Sequence, residues 1–172
     1  MESGPSQRIQ AMSPSHEEAI GRLLRRRKAT LAVAESCTGG LLGYRITSVS
    51  GSSDYFLGGV IAYANAVKVR ELGVDPAVLE KEGAVSEPVA RQMACGVRER
   101  FGADFGIGIT GVAGPGGGTD RKLAGSVYIA LADARQCSVY FGTFSGHREA
   151  VREASARKAL EMIESRLILD ER

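Results

Sequence analysis

Ser36 lies two residues beyond an apolar run at 30–34 and shortly before Gly39 and Gly40, so its hydroxyl stands where a strand gives way to a helix. The first N–H groups of such a helix lack intrahelical partners and can stabilise a developing oxyanion. A serine hydroxyl is a weak nucleophile and needs a base. The chain has two histidines, His16 and His147, of which only His147 is a candidate, and Lys68 is the other option. A lysine acts as a base only when neutral. Two things lower its pKa here: the first turn of a helix, where the dipole disfavours positive charge, and a closed cleft. Cys37 is a rival nucleophile because thiols react more readily, although its side chain is expected to point away from that of Ser36. The same residues also read without chemistry: Ser36 and Thr38 as helix caps, Cys37 as a small buried group, Lys68 as a surface lysine.

Residues 111–118 form a loop with five glycines and one proline. Glycines let backbone N–H groups approach a phosphate, which makes Gly111, Gly114, Gly116 and Gly117 candidate substrate ligands. No Gly-Lys-Ser/Thr follows, so it is not a P-loop, and it is not a GxGxxG at a first strand. A flexible surface loop is the competing reading. Arg148 and Arg152 open the last helix and either reach an anion or are solvated.

The elements that must position these groups alternate. Ser15 and Glu18 form a capping box before a helix with Ile20, Leu23 and Leu24 at helical spacing. A strand follows at 30–34, then a helix at about 38–49, a strand at 59–63, and a helix from Asn65, its cap, to Leu72. Ser86 opens the next helix with Pro88 in its first turn. Further strands are expected at 104–110, 125–131 and 137–144, and a long helix at 148–168. This order predicts an α/β fold: a three-layer α/β/α sandwich on a mostly parallel mixed sheet with an antiparallel hairpin at one edge. Ligands of such sheets bind beyond the carboxyl ends of the strands. Residues 35–40, 63–68 and Thr110 with its loop should converge there.

Composition narrows the rest. The 172 residues suit one domain, expected over 15–172 after a loose tail at 1–14. A net charge of +2 gives no nucleic-acid groove. Three cysteines without a Cys-x-x-Cys, and no histidine–carboxylate cluster, indicate neither a disulfide framework nor a metal site, and no cofactor is called for. No apolar run spans a membrane and no secretory leader is evident, so a cytoplasmic protein is expected.

Several motifs together carry a resemblance. Ala34-Glu35-Ser36-Cys37-Thr38-Gly39-Gly40 resembles the signature of the CinA C-terminal domain family, the nicotinamide-nucleotide amidohydrolases. So do Gly59-Val60-Ile61-Ala62-Tyr63-Ala64-Asn65-Ala66-Val67-Lys68 and Gly83-Ala84-Val85-Ser86-Glu87-Pro88. Ile109-Thr110-Gly111-Val112-Ala113-Gly114-Pro115 and Phe144-Ser145-Gly146-His147-Arg148 complete the set, over roughly 15–167. The resemblance implies metal-free deamidation of nicotinamide mononucleotide, a three-layer fold, and a homo-oligomer, dimer or tetramer. It implies Ser36 as nucleophile, Lys68 as its base, and Tyr63, Thr110 and Arg148 in the same site. Thr38, Gly39, Gly40 and Asn65 join the glycine loop as candidate substrate contacts. Some members carry a further N-terminal domain acting on dinucleotides, which is not expected here. The chain departs from the family pattern at Ala64, where Ser or Thr is usual, at Leu123-Ala124 and at His147. A non-catalytic nucleotide-binding module, linked to competence or DNA damage, is the alternative.

Overall fold

The computed structural model describes residues 14–120 and 122–170. The chain runs α1 (His16–Arg27), β1 (Leu31–Glu35), α2 (Leu41–Thr47), a short 3-10 turn (Ser52–Asp54), β2 (Phe56–Ile61), α3 (Asn65–Leu72), α4 (Pro76–Glu82), α5 (Glu87–Phe101), β3 (Phe105–Gly111), β4 (Ser126–Ala132), β5 (Cys137–Thr143) and α6 (Arg148–Leu169). The sheet order is β2-β1-β3-β4-β5. β1 pairs parallel with β2 and β3, while β3–β4 and β4–β5 are antiparallel. The sheet is therefore evenly mixed, and its parallel half carries the candidate site.

Alternation along the strands builds two unlike faces. Leu31, Val33, Ile107, Ile109, Val127, Ile129 and Leu131 pack with α1, α2 and α6 in one core. Ala32, Ala34, Ala130 and Ala132 face the other way, towards α5 and, for the first two, α3. The second face is made of small residues because α5 comes so close. A Cβ on Gly106 would lie 2.2 Å from Ala94 O, and one on Gly108 2.6 Å from Ala90 O. At these two positions a side chain would force helix and sheet apart.

The capping box of α1 is present, and α6 runs a residue beyond its expected end. Three local expectations are corrected. The helix after the glycine pair begins at Leu41, not Thr38, because Gly39 and Gly40 take φ of +59° and +99°, outside the right-handed helical region. Ala64, not Asn65, is the N-cap of α3, and it has no capping side chain. The helix α4 was not anticipated. The loose tail expected at 1–14 lies outside the described residues, apart from Pro14. Among the described residues, no helix is long and apolar enough to cross a membrane.

Candidate active site

The parallel ladder continues one step past the strands and fixes the backbone on both sides of Ser36. Ser36 N–H donates to Ile109 O at 2.9 Å, and Glu35 O accepts from Ala62 N–H at 2.8 Å. Gly39 N–H then donates back to Ser36 O at 3.1 Å, closing a tight turn. The Glu35 side chain, 2% exposed, reaches under this turn. Its carboxylate accepts from Gly40 N–H (3.1 Å), Leu42 N–H (3.1 Å) and Gly43 N–H (2.8 Å). Glu35 thus caps α2, and the capping role read for Ser36 and Thr38 is corrected. The same arrangement removes the α2 N–H groups as oxyanion donors, since the Glu35 carboxylate and, for Leu41, Thr38 O already hold them. The sequence reading passed over Glu35, although a carboxylate just ahead of a helix start was the signal for it.

Lys68 enters from α3 and is 1% exposed. Its Nζ lies 3.1 Å from Ser36 Oγ, 2.7 Å from Ala62 O and 3.2 Å from Tyr63 O. A neutral amine has two N–H donors and one lone pair. With the two carbonyls taking its hydrogens, the lone pair faces the Ser36 hydroxyl. Burial lowers the Lys68 pKa, against an opposing pull from Cys37. Burial pushes the Cys37 thiol the other way, up to about 11, which leaves little thiolate near neutral pH.

A cavity of about 260 Å³ opens over the pair. It is lined by Ser36, Cys37, Tyr63, Asn65, Lys68, Ala84, Val85, Thr110, the 111–114 segment, Gly116, Gly117 and Arg148. Among the described residues its ionisable nitrogen-bearing side chains are Lys68 and Arg148, and it has no carboxylate. Arg148 donates to Tyr63 OH at 2.8 Å and to Gly114 O at 3.1 Å, bridging the mouth. Thr110 Oγ1 donates to Ala84 O at 2.7 Å, so its proton is turned to the 84–85 segment and not offered to an oxyanion. That segment, not expected among the substrate contacts, lines the cavity.

Thr38, Gly39 and Gly40 do not line it. Thr38 is fully buried with Oγ1 unpartnered, Gly39 lies beside Arg152, and Gly40 beside Ile61. Thr38 is turned into the core and the two glycines sit off the cavity, which corrects their placement among the substrate contacts. His147 is exposed and caps α6, its Nδ1 accepting from Ala150 N–H at 3.3 Å. A larger open depression of about 860 Å³, around Glu17, Arg22, Tyr44 and Arg45, holds no nucleophile–base pair. Among the described residues, no three or more His, Cys, Asp or Glu gather to hold a metal ion.

The profile of the CinA C-terminal domain matches residues 13–167. A CinA-like protein of Synechocystis sp. is 56% identical over 152 residues, covering 86% of this chain and 36% of that protein. The chain thus spans little more than a third of the length of the curated relatives it matches. The crystal structure of competence damage-inducible protein A from Klebsiella pneumoniae subsp. pneumoniae has a TM-score of 0.86 at 31% identity, covering 89% of this chain and 95% of that one. A competence/damage inducible protein from Agrobacterium tumefaciens gives 0.82 at 34%, covering 91% and 98%.

Proposed function

This chain belongs to the CinA C-terminal domain family, and on that premise we propose that it hydrolyses the carboxamide of nicotinamide mononucleotide to nicotinate mononucleotide and ammonia. The observation that carries the reading is Lys68 Nζ at 3.1 Å from Ser36 Oγ, with Ala62 O and Tyr63 O fixing the amine. Neutral Lys68 takes the Ser36 proton as Oγ attacks the carboxamide carbon. The tetrahedral oxyanion collapses, the C–N bond breaks, and Lys68 returns the proton to the departing ammonia. Water then attacks the acyl-serine, with Lys68 again as base, giving the carboxylate and free Ser36.

Arg148 at the mouth supports an anionic substrate, and the glycine-rich wall supports one whose phosphate lies against backbone N–H groups. The cavity is slightly below the roughly 300–1,000 Å³ of ligand pockets, which suits a nicotinamide ring held inside and a phosphate at the mouth by Arg148. A homo-oligomer belongs to the same proposal, supported by Leu57 and Ile61, 43% and 57% exposed on edge strand β2. Three free thiols support a reducing, cytoplasmic setting.

The test is ammonia release from nicotinamide mononucleotide by the purified chain, beside Ser36→Ala. Turnover in the parent and none in the variant is expected. Binding of the nucleotide without turnover in the parent would leave the non-catalytic module standing instead.

A further inference from the structure

Arg152 is the one arginine of α6 that reaches the turn carrying the nucleophile. Its Nε and Nη2 both donate to Thr38 O, at 3.3 and 2.9 Å. It forms no ion pair with a carboxylate among the described residues, so this carbonyl is its principal anchor. The peptide that supplies the carbonyl also supplies Gly39 N–H, which donates to Ser36 O and closes the turn. A cation on one end of that peptide polarises it and strengthens the bond at the other. Four residues earlier on the same helix, Arg148 lines the cavity itself and holds Tyr63 OH and Gly114 O. Arg152 does not line the cavity.

We infer that Arg152 is a positioning residue, which clamps Thr38 O so that the closed turn holds Ser36 Oγ in line with Lys68 Nζ. It works from the side away from substrate, opposite in sign to Glu35, which holds the far end of the same turn through Gly40, Leu42 and Gly43 N–H. Without the guanidinium, Thr38 O keeps only the longer bond from Leu41 N–H (3.2 Å), and the turn is free to drift. A misplacement of about 1 Å costs on the order of 100-fold in rate.

The inference rests on the Ser36–Lys68 reading but not on the choice of substrate, so the experiment reads Ser36 directly. A fluorophosphonate forms a P–O bond to Ser36 Oγ while the P–F bond breaks; fluoride leaves and Lys68 takes the proton. The labelling rate at Ser36, followed by intact-mass spectrometry, reports the dyad alone, with Ser36→Ala as the blank. In Arg152→Ala this rate should fall about 10–100-fold, and guanidinium ion in the buffer should restore part of it. Arg152→Lys, which keeps a donor for Thr38 O, should fall less and serves if Arg152→Ala does not fold. The kcat for ammonia release should drop in parallel, with KM changed less than about twofold. An unchanged labelling rate in a folded variant would overturn the inference. So would a raised KM at intact kcat, which would make Arg152 a substrate ligand. Slowed labelling in a chain that never releases ammonia would retain the positioning role and sink the substrate assignment alone.

Discussion

Lys68→Arg keeps the positive charge of the site and removes its proton acceptor, because a guanidinium stays protonated up to a pH of about 12. The loss can be sized from the geometry. Among the described residues the one hydrogen-bond partner of Ser36 Oγ is Lys68 Nζ, so no second group is placed to take the Ser36 proton. The variant should therefore lose the whole general-base contribution, about 10²–10⁴-fold in kcat/KM, or about 3–5 kcal/mol at 1.36 kcal/mol per tenfold. The assay is ammonia release against pH. Below the Lys68 pKa the neutral fraction rises tenfold per pH unit, so log kcat/KM should climb with unit slope and then level. Burial brings that levelling below the ordinary lysine value, with Cys37 pulling the other way. Stability carries the same signature. The folded chain sheds this proton at lower pH than the unfolded chain, so between the folded value and about 10.4 the unfolded state holds more protons. Stability contributed by Lys68 therefore rises with pH across that window, and the full penalty of the buried charge is felt below it. Urea unfolding of Lys68→Met should lack that rise. Wild-type activity in Lys68→Arg, or a pH limb lost in His147→Ala and kept in Lys68→Ala, would refute the reasoning.

The raised Cys37 pKa has the opposite sign: its stabilising contribution is complete below pH 9.0 and is lost as pH rises through about 11. The shift corresponds to about 3 kcal/mol, so Cys37→Ala should flatten alkaline denaturation over that range while retaining turnover. Arg148→Ala should raise KM for the mononucleotide about tenfold or more, as expected of a lost charge-assisted phosphate contact, and nicotinamide riboside should be a poor substrate in both proteins. Equal KM values for mononucleotide and riboside would deny Arg148 the phosphate. Ala64→Ser supplies the missing cap of α3, whose N-cap backbone is already extended. It should add about 1 kcal/mol, seen as a Tm rise of about 2–4 °C. Gly96→Ala should be strongly destabilised in the same melts, since its Cβ would lie 1.9 Å from Leu72 O.

Much of this was written in local sequence. Ser15 and Glu18 announce α1, the apolar spacing from Val151 to Leu167 announces α6, and the five-strand count follows from short apolar runs between glycines. Ser36 was legible as a hydroxyl just past a strand end and Lys68 as an amine in the first turn of a helix, whereas their pairing as nucleophile and base came with the family resemblance. What escaped depends on backbone. α4 is seven residues of mixed character, and its start signal, Asp75 before Pro76, stood without a periodic apolar face behind it. Ala84 and Val85 offer the cavity no functional side chain, only a carbonyl for Thr110. Thr38, Gly39 and Gly40 share a motif with Ser36 but do not line its cavity, because the turn carries the chain away from it. Motif membership therefore overstates substrate contact, and only the φ values of the glycines separate the two.

The two halves of the Ser36–Lys68 pair are held by opposite faces of the sheet. Cys37, next to the serine, belongs to the core shared by α1, α2 and α6, and α6 grips Thr38 O. Lys68 rides on α3, whose Leu72 packs with Val89, Met93 and Val97 of α5 in the other core. The separation of 3.1 Å between Oγ and Nζ is therefore set by the thickness of the whole sandwich at that point. This gives a reason for the alanine and glycine content of the α5-facing strands that packing alone does not. Larger residues at Gly106 or Gly108 could be accommodated by moving α5 outward, as cores often do at modest cost. Moving α5 would carry α3 with it, because Leu72 O abuts Gly96. Lys68 would then leave Ala62 O, Tyr63 O and Ser36 together. A fold that needed only to be stable could bear that shift, whereas the proposed serine–lysine pair could not.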